Sequence, residues 1–85
     1  MRKPKHWGEK MIRELVLYIK SERMAQSLTM GELALKSGVS QKHISNIENK
    51  KVMPTIETLQ KLARALGFDI ALQVKVRKYS KKKDG

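Results

Sequence analysis

The 85-residue sequence predicts one small, mainly α-helical domain of four helices, followed by a single C-terminal β-strand. Three observations support this prediction. Apolar residues recur at helical spacing in segments between residues 9 and 66. Two short segments meet at a Ser-Gly-Val turn, and from residue 68 apolar and polar residues alternate strictly. A chain of this length has room for a single domain with a modest hydrophobic core.

The first elements are a basic arm, residues 1–8, and a helix over residues 9–26 whose apolar residues repeat every four positions. Trp7 is expected to pack onto the start of this helix, or alternatively to act as a stacking residue. Thr29 and Glu32 form a T-x-x-E capping box, which predicts the start of the second helix, residues 30–37.

Gly38 then supplies the backbone freedom for a sharp turn, and Ser40 is the expected N-cap of the third helix, residues 41–48. Small residues, apolar anchors and an exposed polar face on the second of the two helices are what a helix-turn-helix requires. Thr55 caps the fourth helix, residues 56–66, and Gly67 ends it.

The predicted strand covers residues 68–78, and the tail, residues 79–85, is expected to be disordered. The apolar members of the alternation are Phe68, Ile70, Leu72, Val74 and Val76. The sequence offers no second strand, so this strand would leave its backbone groups unpaired. We therefore expect it to pair with the same strand of a second copy in a homodimer. The alternative is that the segment stays helical or loose.

Composition favours a polyanionic partner. The chain carries 19 Lys and Arg residues against 8 Asp and Glu, a net charge of +11, and nine of the basic residues lie near its two ends. Nucleic acid is the first candidate and an acidic membrane surface the second; alternatively the basic ends are only solvated.

The same composition argues against several other classes. The absence of cysteine excludes disulfides and thiolate metal sites and suits a reducing cytosol. With nucleic acid as the first candidate partner, we expect a cytoplasmic, nucleoid-associated protein. No apolar stretch approaches the roughly 20 residues that span a bilayer, and no secretory signal is expected. We find no nucleophile elbow, phosphate loop, metal cluster or carboxylate pair, and therefore expect no enzyme activity and no cofactor.

Many residues fall at the spacing of one known family: Arg23, Leu28, Thr29, Glu32, Leu33, Ala34, Ser37, Gly38, Val39, Ser40, Ile44, Ser45, Ile47, Glu48, Asn49, Pro54, Thr58, Leu59, Leu62, Ala63, Ala65, Leu66 and Gly67. With them, residues 13–66 resemble the phage-repressor-like (XRE, Cro/C1-type) helix-turn-helix domains, the class that contains the lambdoid repressors. The resemblance implies a four-helix, lambda-repressor-like DNA-binding domain over residues 9–67, whose recognition helix is residues 41–48.

The resemblance also implies roles for individual residues. The expected base-reading side chains are Gln41, Lys42, Ser45 and Asn46. The expected phosphate contacts are Thr29, Ser40, Asn49, Lys50 and Lys51. Arg23 and Glu48 match a structural pair that ties the first helix to the end of the recognition helix, and this pair would contribute about 1 kcal/mol or less if partly exposed.

Met30 departs from the family pattern, and His43 has two alternative roles. Where the family often carries a bracing Gln at the start of the second helix, this sequence has Met30, which puts that phosphate contact in doubt. His43 could contact DNA, but a partly exposed packing role on the second helix is the preferred interpretation.

The C-terminal G-F-D-I-A-L-Q-V is similar to HipB-like antitoxins, whose dimers pair one strand from each subunit. The functional prediction is therefore a dimeric repressor that binds a palindromic operator of its own operon and neutralises a toxin protein. The alternatives are a stand-alone phage-type or mobile-element repressor without a toxin, and a non-specific binder driven by charge alone.

Overall fold

The computed structural model describes the backbone of residues 7–71 and the side chains of residues 8–71. Over this range the chain forms four helices: α1 (Trp7–Ala25), α2 (Met30–Ser37), α3 (Gln41–Glu48) and α4 (Ile56–Ala65). The bounds of α2 and α3 are those predicted. α1 begins two residues earlier than predicted, within the segment assigned to the arm. Both α1 and α4 end one residue earlier than predicted. In the described residues, no helix is long and apolar enough to cross a membrane.

One apolar core holds the four helices together. Leu33 of α2, Ile44 of α3 and Leu59 of α4 have 1% or less of their surface exposed, so all three helices meet there. α1 completes the core with Val16 and Ile19. Because burial of each such side chain is worth about 2 kcal/mol, this shared core is what fixes α3 against the rest of the domain.

Three helices begin at side-chain caps that follow from the sequence. Thr29 Oγ1 accepts the Glu32 N–H, and Glu32 Oε1 accepts the Thr29 N–H at 2.8 Å, so the predicted capping box is confirmed. Ser40 and Thr55 cap α3 and α4 in the same way, each accepting the N–H three residues on. Each cap satisfies a backbone donor that the first helical turn leaves free.

Three helices also end alike, in the hydrogen-bonding pattern of a Schellman motif, with one residue in the left-handed region. That residue is Ser27 after α1 (φ 57°), Lys50 after α3 (φ 63°) and Gly67 after α4 (φ 95°). After α3, the Lys50 N–H donates to Ile47 O and the Lys51 N–H to Asn46 O. Glycine is the residue that adopts this conformation without steric cost, so Ser27 and Lys50 are held there by the surrounding structure.

The first part of the predicted strand packs on the chain's own core. Residues 68–71 are not in a strand, and residues 72–78 lie outside the described range. Phe68 packs edge-on against Tyr18 of α1, with 5.1 Å between the ring centroids, and Ile70 O accepts from Gln60 Nε2 at 3.3 Å. Phe68 and Ile70 are therefore half-buried by the chain itself.

Candidate nucleic-acid interface

The turn between α2 and α3 depends on one glycine. Gly38 has φ 80°, and its N–H donates to Ala34 O, which closes the end of α2. Val39 then turns into the core with 7% of its surface exposed. The left-handed backbone at Gly38 lets the chain turn over residues 38–40, so α3 follows α2 after three residues.

α3 has one buried face and one polar face. Ile44, Ile47 and Glu48 are buried. The opposite side carries the four predicted base-reading residues, which fall within about 140° of the helix circumference. They are Gln41, Lys42, Ser45 and Asn46. Because the core fixes the buried face, the direction of the polar face is fixed too.

The four side chains are not equally accessible. Gln41 and Lys42 are exposed, whereas Ser45 and Asn46 are half-buried. Ser45 Oγ accepts a hydrogen bond from Asn49 Nδ2 at 3.3 Å. Within residues 8–71 the side-chain polar groups of Lys42 and Asn46 make no hydrogen bond or ion pair with another protein group, so these side-chain donors and acceptors are available to a ligand.

Arg23 of α1 anchors the carboxyl end of α3. Its Nε donates to Glu48 Oε2 at 2.8 Å and its Nη2 to Glu48 Oε1 at 2.9 Å, a bidentate pair, while Nη1 donates to Leu28 O at 2.7 Å. The Arg23 and Glu48 side chains are only 11% and 2% exposed. The pair is therefore buried, and the small contribution expected of a partly exposed ion pair does not apply to it. The hydrogen bond to Glu48 raises the pKa of Arg23 above its ordinary value, although burial opposes this.

The candidate phosphate-contacting residues lie at both ends of α3 and at the start of α2. Thr29 and Ser40 are N-caps, and each hydroxyl oxygen accepts a backbone N–H while its own hydrogen remains able to donate. Asn49, Lys50 and Lys51 are exposed in the loop that follows α3. This loop is ordered by its backbone bonds to α3, which fix where the lysines emerge.

α3 and the loop after it expose no acidic side chain. Glu48 is the one acidic residue between Val39 and Thr55 in the sequence, and it is buried against Arg23. Lys42, Lys50 and Lys51 are all exposed. The charge that α3 and this loop present to solvent is therefore positive, which attracts a polyanion.

The structure bears on Met30 and His43, and it also shows two features that sequence reasoning missed. Met30 packs against the core and cannot offer the bracing amide of the family pattern. His43 is half-buried beside the polar face of α3. Sequence reasoning missed the bond from Arg23 to Leu28 O and the left-handed Lys50. The position of Lys50 just after a helix was the available signal, since glycine is common there.

No group of three His, Cys, Asp or Glu residues in residues 8–71 could hold a metal ion. A groove of about 380 Å³ lies between α1 and the loop after α3, and its polar residues are Glu9, Arg13, Lys50 and Lys51. Glu9 forms an ion pair with Arg13 at 3.6 Å. Of the five proposed dimer-strand residues, Phe68 and Ile70 pack against the core, and the other three lie outside the described residues.

Comparison with known proteins agrees with this architecture. The helix-turn-helix family model matches residues 19–73. The chain is 39% identical over 57 residues to the uncharacterized HTH-type transcriptional regulator y4dL of Sinorhizobium fredii (strain NBRC 101917 / NGR234), a match that covers 67% of this chain and 29% of that protein. It is 42% identical over 45 residues to y4dJ, another uncharacterized HTH-type transcriptional regulator of the same strain, covering 53% and 58%.

The chain thus spans about a third to three fifths of the length of these relatives. No solved structure matches it significantly. The family match extends from the second half of α1 to beyond α4 and includes the whole of α2 and α3. The chain therefore carries an XRE-type helix-turn-helix domain, is homologous to HTH-type transcriptional regulators, and belongs to the helix-turn-helix family.

Proposed function

We propose that this protein is a sequence-specific DNA-binding transcription regulator that places α3 in the major groove. The observation that carries the proposal is the polar face of α3, which is fixed by the core, carries no acidic residue and is followed by a loop with two exposed lysines. Membership of the helix-turn-helix family and the names of the two relatives support the same function.

In this proposal Gln41 and Asn46 are the main base readers. The carboxamides of Gln and Asn can bond bidentately to adenine, and such a contact is worth about 1–3 kcal/mol of discrimination. Lys42 and Ser45 extend the same face. Thr29, Ser40, Asn49, Lys50 and Lys51 contact phosphates, which set affinity and register but carry little sequence information.

Selection of bound sites from random DNA, followed by affinity measurements on the selected site, tests this function. The double change Gln41→Ala and Asn46→Ala is expected to reduce the preference for that site over random DNA by at least about tenfold, with non-specific affinity nearly unchanged. A matched control changes the exposed α4 residues Glu57 and Lys61 to Ala and keeps the preference. If the preference survives the Gln41 and Asn46 changes, α3 is not the reader.

The finer proposal is a homodimer that binds a palindromic operator and represses its own operon. Its support is the apolar alternation at Phe68, Ile70, Leu72, Val74 and Val76. The packing of Phe68 and Ile70 on the chain's own core leaves Leu72 and Val74 as the sharper test positions. A two-fold dimer requires half-sites about 10 bp apart or a multiple of this.

Sedimentation of the Leu72→Lys and Val74→Lys double variant tests the dimer. The proposal expects a dimeric parent and a monomeric variant with the same helix content, because two buried lysines would oppose strand pairing. A variant that remains dimeric contradicts pairing through this segment.

The proposal of a toxin partner rests only on the resemblance of residues 67–74 to HipB-like antitoxins. The relatives are described as transcriptional regulators. Co-expression with the product of the adjacent gene tests the idea: relief of toxicity and co-purification support an antitoxin, and their absence favours the stand-alone repressor.

A further inference from the structure

The side chain of Gln41 lies against the first turn of α2, beside Gly31. A methyl group at the Cα of Gly31 would be 3.3 Å from Gln41 Oε1 and 3.8 Å from Gln41 Cδ. It would also be 3.8 Å from Thr29 Oγ1. The carboxamide of Gln41 therefore occupies the space that any other residue at position 31 would partly fill.

The backbone gives no reason for a glycine at this position. Gly31 is inside α2, and the glycines with positive φ in residues 7–71 are Gly38 and Gly67. Glycine is a weaker helix former than alanine, so it does not stabilise the helix either. What it provides is the room in which the Gln41 carboxamide lies.

The room at Gly31 affects the direction in which the Gln41 carboxamide points. Since a contact of 3.3 Å is tighter than ordinary van der Waals contact, an alanine at position 31 would require the end of the exposed Gln41 side chain to move by a few tenths of an ångström. A bidentate bond to a base edge depends on the distance and angle of the carboxamide, so displacement would weaken discrimination more than overall affinity.

We propose that Gly31 is a positioning residue that sets the direction of the Gln41 carboxamide and thereby the base preference of α3. The inference rests on the proposed function and deepens it. It also explains how the reading residue can be supported from α2 although Met30 packs into the core and offers no amide.

Nuclear magnetic resonance of the free protein tests the positioning without DNA. Nuclear Overhauser contacts are expected between the Gln41 side-chain amide and the Gly31 Hα protons, and Gly31→Ala should shift the Gln41 side-chain amide resonances. Gly8→Ala is the matched control, since Gly8 is helical and nothing lies within 4 Å of an added Cβ. Absence of the contacts, or equal shifts in both variants, overturns the proposal.

A double-mutant cycle on the selected DNA site tests the consequence for binding. Each variant is measured against the selected site and its single-base substitutions. Gly31→Ala is expected to reduce discrimination about fivefold or more at the base pair whose preference depends on Gln41, and to have no such effect in a Gln41→Ala background. A Gln41→Asn background, with a shorter side chain, should also be insensitive.

The outcomes separate the two proposals. If the contacts to Gly31 are present but the parent shows no base preference, the proposed function fails, and with it the assignment of base preference to Gly31. If the parent shows a preference that depends on Gln41 and Gly31→Ala leaves it unchanged, or acts equally in both backgrounds, Gly31 is not the positioning residue and the proposed function stands.

Discussion

Arg23 connects α1 with both ends of the helix-turn-helix unit, residues 30–48. Three of its nitrogen atoms donate hydrogen bonds, two to Glu48 at the end of α3 and one to Leu28 O just before α2. The fork of a guanidinium fits this set of acceptors, whereas an ammonium group offers a single nitrogen. Arg23 therefore contributes through geometry as well as through charge.

Arg23→Lys is expected to lower the free energy of unfolding by about 2 kcal/mol, because the charge is kept but at least one buried acceptor loses its donor. Urea denaturation measures the change. Arg64→Lys is the control, since the Arg64 and Asp69 side chains are 64% and 70% exposed and such a pair contributes little. Equal effects of the two changes would contradict the assigned role of Arg23.

Lys50 holds a strained backbone conformation at the surface proposed to contact phosphate. Lys50→Gly is expected to raise the free energy of unfolding by about 0.5–1 kcal/mol, because a left-handed non-glycine residue is strained and glycine is not. Ser27→Gly should stabilise by a similar amount for the same reason. Thermal and urea unfolding of both variants measure the gain.

The two stabilised variants should differ in DNA binding. Lys50→Gly removes a cation beside α3 and should weaken binding, whereas Ser27 lies after α1 and its replacement should leave affinity unchanged. Stabilisation without loss of DNA affinity in Lys50→Gly would show that Lys50 contacts no phosphate.

At the scale of the elements, side-chain caps define where the helices begin. Thr29 and Thr55 occupy the same N-cap position of α2 and α4, and each Oγ1 accepts the N–H three residues on, at 3.0 and 3.1 Å. The two caps can therefore be compared directly, because Thr29 lies on the proposed DNA surface and Thr55 begins a different helix.

Thr29→Ala and Thr55→Ala are each expected to lower the free energy of unfolding by about 1 kcal/mol through loss of the cap. Only Thr29→Ala should also weaken DNA binding, measured at a temperature where both variants are folded. If the two variants bind DNA equally well, Thr29 serves as a cap alone.

At the scale of the whole molecule, the net charge of +11 predicts strongly salt-dependent binding. Affinity for DNA should fall at least about tenfold between roughly 50 and 200 mM salt. Changing Lys50 and Lys51 to Ala should reduce the slope of log affinity against log salt by about two per bound subunit. Lys61→Ala, on α4, is the control. A slope unchanged by the loop substitutions would place the phosphate contacts elsewhere.

Sequence alone determined the four helices, because caps, the Gly38 turn and apolar spacing act over a few neighbouring residues. Thr29 with Glu32, Ser40 and Thr55 indicated where α2, α3 and α4 begin. The small differences at α1 and α4 lie at helix ends, where local signals are weakest.

Only the tertiary structure decided how distant residues meet. The burial of the Arg23–Glu48 pair, the packing of Phe68 on Tyr18 and the position of Gln41 beside Gly31 each join residues well separated in the chain. Local propensity does not encode such contacts, because their strength depends on the burial and distance that the folded core imposes. For this reason only the folded structure shows that the Arg23–Glu48 pair is buried and that Gln41 lies beside Gly31.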